Sequence, residues 1–130
     1  MKNNVTIAGL AKAVGVGVET VRYYQRRGLL EVPQAIGAVR HYGPDDLRRL
    51  SFIRRAQGAG FTLEEITELL ALDRTEDRTR IHAMAAERIA ALDTKIRELE
   101  ASRTALERLR ATCASGKGGA CPIIEAFDPR

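Results

Sequence analysis

Apolar positions recur at helical spacing through most of the chain, interrupted at a few places by glycine and proline. Residues 5–13, VTIAGLAKA, carry the first such pattern, with Thr6 placed to cap it and Gly15 and Gly17 following. The stretch VETVRYYQRRGLL predicts a second short helix from about Val18 to Arg27. Gly28 closes it as a left-handed cap residue, with Leu29 and Leu30 packing behind. Two short helices around a glycine-containing turn make a helix-turn-helix candidate. Residues 31–43, EVPQAIGAVRHYG, combine β-branched residues, a proline and glycines, and predict a short hairpin or wing. Pro44 fits the first position of a third helix, with Asp45 and Asp46 in its first turn and Leu47, Leu50 and Ile53 as its apolar stripe. Gly58 and Gly60 end it. Thr62 and Glu65 then form a capping box that opens a fourth helix running to about Leu72.

A polar connector, Asp73 to Asp77, separates this front part from a stretch without glycine or proline, about Arg78 to Thr112. Within it Ile89, Leu92, Ile96, Leu99, Leu106 and Leu109 follow a 3-4-3 pattern broken by Arg103, which is a heptad seam on a helix of roughly 50 Å. A stripe that long exceeds what the small front domain can cover, and the economical partner is the same helix of a second subunit in a homodimer. Then come the glycine-rich loop CASGKGGAC and a helical turn, PIIEAF, starting at Pro122. The expected architecture is mainly α. It has a winged helix-turn-helix domain over 1–72, a connector and long dimerisation helix over 73–112, and a cysteine loop with a short helix over 113–130.

Composition narrows the class. The chain has 130 residues, 45% apolar and 29% charged, enough for a core and without a run long enough to span a membrane. The opening residues MKNNVTIAGL lack a signal peptide's apolar stretch, so a soluble, cytoplasmic protein is expected, with no membrane partner. Residues 1–60 carry ten Lys/Arg against four Asp/Glu, and residues 61–130 carry eleven against thirteen. A basic front on an acidic rear points to a polyanion at the front.

Two constellations carry chemistry. On the second helix, Thr20, Arg22, Tyr23, Tyr24, Gln25, Arg26 and Arg27 supply phosphate donors, and Gln25 is placed to read a base edge. The wing adds Arg40, His41 and Tyr42, and the third helix adds Arg48, Arg49, Arg54 and Arg55. Tyr23 and Tyr24 point about 100° apart, so one of them is expected in the core. The second constellation is Cys113 and Cys121, with seven residues between them. Structural disulfides are rare in the cytosol, so a soft-metal site and a dithiol/disulfide switch are both open on spacing alone. His41 and His82 are the available nitrogen ligands, and Lys117 is placed to offset negative charge on the thiolates. No P-loop, HExxH or Ser/His/Asp set is present, and no enzyme is expected.

Taken together, ETVRYYQRRGLL, the wing VRHYG, the run DDLRRLSFIRRAQGAGFTLEEITELL, a long helix and C-x7-C followed by PIIEAF resemble the metal-responsive MerR family of transcription regulators over essentially the whole chain. The resemblance implies dimers with antiparallel dimerisation helices that bind a dyad promoter with RNA polymerase. The effector bends and untwists the DNA and so activates a metal resistance or efflux operon. Carried over by position, the DNA contacts are Thr20, Arg22, Tyr24, Arg40 and Tyr42, with Val39 standing where the family often has a tyrosine. The metal ligands are Cys113 and Cys121, with Arg78 and His82 as neighbours of the site. Sensors of divalent ions usually have a cysteine near the start of the long helix. Arg78 stands there in this chain, where copper-type sensors have a serine. The seven-residue spacing and PIIE are similar to copper-type sensors, whereas YYQRRGLL is similar to mercury-type ones. The implied effector is therefore a thiophilic ion, mercury(II) or copper(I), silver(I) or gold(I). A thiol/disulfide redox regulator and a metal-buffering protein are the alternatives.

Overall fold

The computed structural model describes residues 4–116 and 118–129, and is mainly helical. The elements are α1 (Ile7–Val14), α2 (Val18–Arg26), β1 (Ala35–Ile36), β2 (Val39–Arg40), α3 (Pro44–Gly58), α4 (Leu63–Thr75), α5 (Arg78–Ser115) and α6 (Pro122–Phe127). They fall into two compact units, one ending at Met84 and one beginning at Ala85.

In the first unit the helix ends lie where local chemistry puts them. Thr6 Oγ1 accepts from the Gly9 N–H at 3.2 Å, and Gly15 closes α1 in the left-handed region (φ 79°). Val5, which precedes the Thr6 cap, is extended rather than helical. It pairs with Tyr42 through two backbone hydrogen bonds of 2.8 and 2.7 Å. Gly28 (φ 79°) ends α2 and turns the chain so that Leu29 and Leu30 enter the core. In the wing Ala35 pairs with Arg40 and Ile36 with Val39, around a two-residue turn that needs Gly37 at φ 68°.

Pro44 opens α3, where Asp46 accepts from the Gly43 N–H at 2.8 Å. Thr62 and Glu65 form the reciprocal capping box of α4, at 3.1 and 2.8 Å. That helix runs to Thr75, three residues past the expected end. Asp73 and Arg74 are compatible with helix, and the break comes only at Glu76 in the left-handed region (φ 59°). The expected connector is thus reduced to two residues.

The core gathers Leu10, Val21, Tyr24, Leu50, Ile53 and Ile66, one or two from each helix from α1 to α4, with Leu29 from the turn after α2 and Tyr42 from the wing. Leu47, expected in the α3 stripe, is 38% exposed. It lies about 120° around the helix from Ile53, at the edge of the buried arc.

The second unit holds most of α5, then the loop and α6. Ile89, Leu92, Ile96, Leu99 and Leu106 are all exposed, an uncovered seam along α5. The helix extends three residues beyond Thr112, so Cys113 stands in its last turn rather than in the loop. Cys121 caps α6, with Pro122 at the first position and Ile124 and Phe127 exposed. Among the described residues, no helix is long and apolar enough to cross a membrane.

Candidate nucleic-acid interface and metal centre

Helix α2 divides its residues by face. Val21 and Tyr24 are buried, Thr20 and Gln25 half-buried, and Glu19, Arg22, Tyr23, Arg26 and Arg27 exposed. Arg22 pairs with Glu19 one turn earlier at 3.2 Å, and both side chains are more than half exposed. A surface pair of this kind is weak and easily exchanged for a phosphate. Tyr23 receives a hydrogen bond from Arg27 at 2.7 Å, with the Arg26 and Arg27 guanidinium groups 5.9 and 5.6 Å from its ring. Arg27 also reaches Glu64 at 2.7 Å, across to the first turn of α4. The Glu64 backbone N–H, and then Arg27, hold the Glu64 carboxyl below its usual range.

Of the residues expected to meet DNA, Arg22 and Arg40 are exposed and Thr20 is half-buried. Arg40 donates from Nε to the Pro33 carbonyl at 2.9 Å. The two tyrosines are placed differently. Tyr24 is 2% exposed and Tyr42 3%, so their rings pack in the core, and Tyr24 is the core tyrosine of the adjacent pair. Tyr24 donates its hydroxyl proton to Gln57 on α3 and receives Arg54 at 3.2 Å. Tyr42 receives Gln25 at 2.8 Å. These ties join positions 17 to 33 residues apart, so the local apolar period of α2 gave no signal of them. On α2 and its cap, Tyr23, Arg26 and Arg27 are further exposed aromatic and basic groups beside the expected contacts.

In the second unit, Cys113 Sγ and Cys121 Sγ face each other at 3.5 Å, well beyond a disulfide's 2.03–2.05 Å. Backbone N–H groups set the protonation. The Ile124 N–H, the Cys113 thiol and the Ile123 N–H favour the Cys121 thiolate and lower its pKa. The hydrogen bond to Cys121, and the charge there, raise Cys113. The pair therefore loses its first proton from Cys121, with Cys113 as donor. Two facing sulfurs, one already inclined to thiolate, fit a soft ion. Among the described residues, no three of His, Cys, Asp and Glu gather to hold a metal. Neither His41 nor His82 joins the sulfurs to make such a group. Arg78 and His82 are exposed near the start of α5, the opposite end from Cys113. Lys117 lies outside the described residues.

A helix-turn-helix with a wing, presenting arginines from its second helix, defines a DNA-binding regulator. Residues 5–73 match the MerR HTH family regulatory protein domain, and residues 47–109 match the region described as MerR, DNA binding. The chain belongs to the MerR family of transcription regulators and is not an enzyme. It is 41% identical over 126 residues to the mercuric resistance operon regulatory protein of Shigella flexneri, covering 95% of this chain and 88% of that one. It is 39% identical to heavy metal-dependent transcription regulator 1 of Rhizobium meliloti, covering 85% and 78%. A transcription regulator of Ralstonia metallidurans, solved in complex with lead(II), superposes with a TM-score of 0.67 at 35% identity, covering 94% and 98%. Family membership sets aside the reading of a metal buffer with an incidental basic front.

Proposed function

We propose that this chain is a homodimeric, metal-responsive regulator whose effector site is the Cys113–Cys121 pair, with mercury(II) as the first candidate ion and copper(I), silver(I) or gold(I) as the next. The observation that carries the reading is the pair of facing sulfurs at 3.5 Å with thiolate favoured at Cys121. The mercuric regulator at 41% identity supports mercury(II), and two thiolates with no further ligand grouped among the described residues suit an ion content with two. Cys113 and Cys121 would hold the ion as thiolates, and Cys113 must give up its proton to do so. When bound, the ion supplies a firm link between the end of α5 and the start of α6 in place of a shared proton. Arg78 and His82 approach the site only through a second chain running antiparallel.

At the front, Thr20, Arg22 and Arg40 contact promoter DNA directly, joined by Tyr23 and Arg26. The rings of Tyr24 and Tyr42 hold α2 and the wing in place, with their hydroxyl groups taken up by Gln57, Arg54 and Gln25. The metal-loaded dimer distorts a dyad promoter so that RNA polymerase initiates at a resistance or efflux operon. Deforming the DNA costs energy that protein contacts offset, and the ion shifts the balance by binding the activating conformation more tightly.

The test is run-off transcription from the cognate promoter with purified RNA polymerase, with and without mercury(II). Cys113→Ser should bind the promoter as wild type does and give no metal-dependent transcript. Normal induction of that variant would remove the site assignment. A redox switch is the second reading, favoured by the same close pair of thiols. Forming the disulfide takes two electrons and two protons from the pair and needs an external oxidant. Under that reading, a peroxide without metal induces transcription.

A further inference from the structure

Gln25 lies on α2, the second helix of the helix-turn-helix, where its amide is of the kind that reads adenine through one donor and one acceptor presented together. The structure commits that amide inward. Gln25 Nε2 meets the Tyr42 hydroxyl at 2.8 Å and the Glu31 carbonyl oxygen at 3.4 Å. A carbonyl oxygen only accepts, so the group facing it is the NH2, and the orientation of the amide is thereby fixed. Both acceptors lie outside α2. Glu31 is in the segment leaving the helix, and Tyr42 is at the base of the wing, two residues beyond Arg40. Tyr42 is 3% exposed and is pinned from its other side by the paired backbone bonds to Val5. One half-buried side chain thus joins the helix bearing Thr20 and Arg22 to the strand end bearing Arg40.

We propose that Gln25 is a positioning residue that fixes the wing on the recognition helix, so that Arg22 and Arg40 meet the duplex in one register, and that it does not read a base. The proposal rests on the DNA-contact reading given above. It separates two roles that a glutamine on such a helix can have. A base reader loses discrimination at one base pair when removed. A positioning residue lowers affinity for every sequence alike, because phosphate contacts set register and carry no sequence information.

The experiment selects duplexes from a randomised library with the full-length wild-type protein. It then measures affinity and base preference at each position of the selected site for wild type, Gln25→Met, Tyr42→Phe and the double variant. Gln25→Met should weaken binding about fivefold to tenfold, the size of the lost 2.8 Å hydrogen bond to Tyr42, the 3.4 Å contact to Glu31 being too long to add much, with base preference unchanged at every position. Tyr42→Phe, which keeps the ring in the core, should do the same, and the double variant should be no weaker than either single one. Should Gln25→Met fail to fold, Tyr42→Phe reads the same contact. A loss of preference confined to one base pair, or additive losses in the double variant, overturns the positioning role alone. A wild type that selects no sequence overturns the DNA-contact reading along with it.

Discussion

At the scale of single residues, charge and hydrogen bonding decide which groups are committed and which are available. Cys121 is inclined to thiolate by the N–H groups at the start of α6, and Cys113 keeps its proton in answer. Glu68 and Arg80 make a two-pronged contact, at 2.6 and 3.2 Å, between α4 and the first turn of α5. Arg80 holds the Glu68 carboxyl below its usual range, as Arg27 helps to do for Glu64. A depressed folded pKa means that the ionised form stabilises the fold above the unfolded carboxyl value of about 4.3, and that this contribution fades as pH falls through the folded value. Thermal melting of wild type and Glu68→Gln should therefore differ most above about pH 5 and converge in stronger acid. A difference that stays constant down to pH 2 contradicts the assignment. The pair is exposed, so the effect is small.

Elements are where the sequence was most legible. Thr6, Gly28, Pro44 and the Thr62–Glu65 pair each declare a helix end through contacts within four residues, and each end falls where it was read. Thr62→Ala removes an N-cap acceptor and should lower the stability of the first unit by about 1 kcal/mol in denaturant melts. A change below a few tenths would mean that the cap does not hold α4. Legibility ended where contacts join distant positions. Nothing in the α2 period showed that Gln25 bonds Tyr42, that Tyr24 bonds Gln57, or that Arg27 bonds Glu64. For the same reason the two tyrosines carried over as DNA contacts emerged as core residues. Their aromatic bodies are worth more when buried, and only their hydroxyl groups remain for polar work. The two cysteines were legible as a pair. That Cys113 sits inside α5 was not, because Ala114 and Ser115 extend the helix without a cap signal.

For the whole molecule, the exposed seam on α5 is the dominant unanswered surface. Ile89, Leu92, Ile96, Leu99 and Leu106 are each at least 38% exposed. Burying an aliphatic side chain fully is worth about 1.5–3 kcal/mol. These side chains are already partly covered, and completing their burial on each of two chains yields an energy of the order that association costs. Ile96→Glu should convert a sedimenting dimer to monomer and weaken binding to a dyad duplex more than tenfold, while the first unit melts unchanged. A variant that remains dimeric would place the interface elsewhere.

The measurement that bears most directly on the central claim is a titration of the reduced protein with mercury(II), copper(I) and zinc against competing chelators. Wild type, Cys113→Ser and Cys121→Ser would be compared, with X-ray absorption at the metal edge. Mercury(II) is expected to bind tightly at one ion per Cys113–Cys121 pair, with sulfur dominating its coordination and either serine variant losing this binding. Equal binding by wild type and both serine variants, or tight binding of no ion at all, would contradict it.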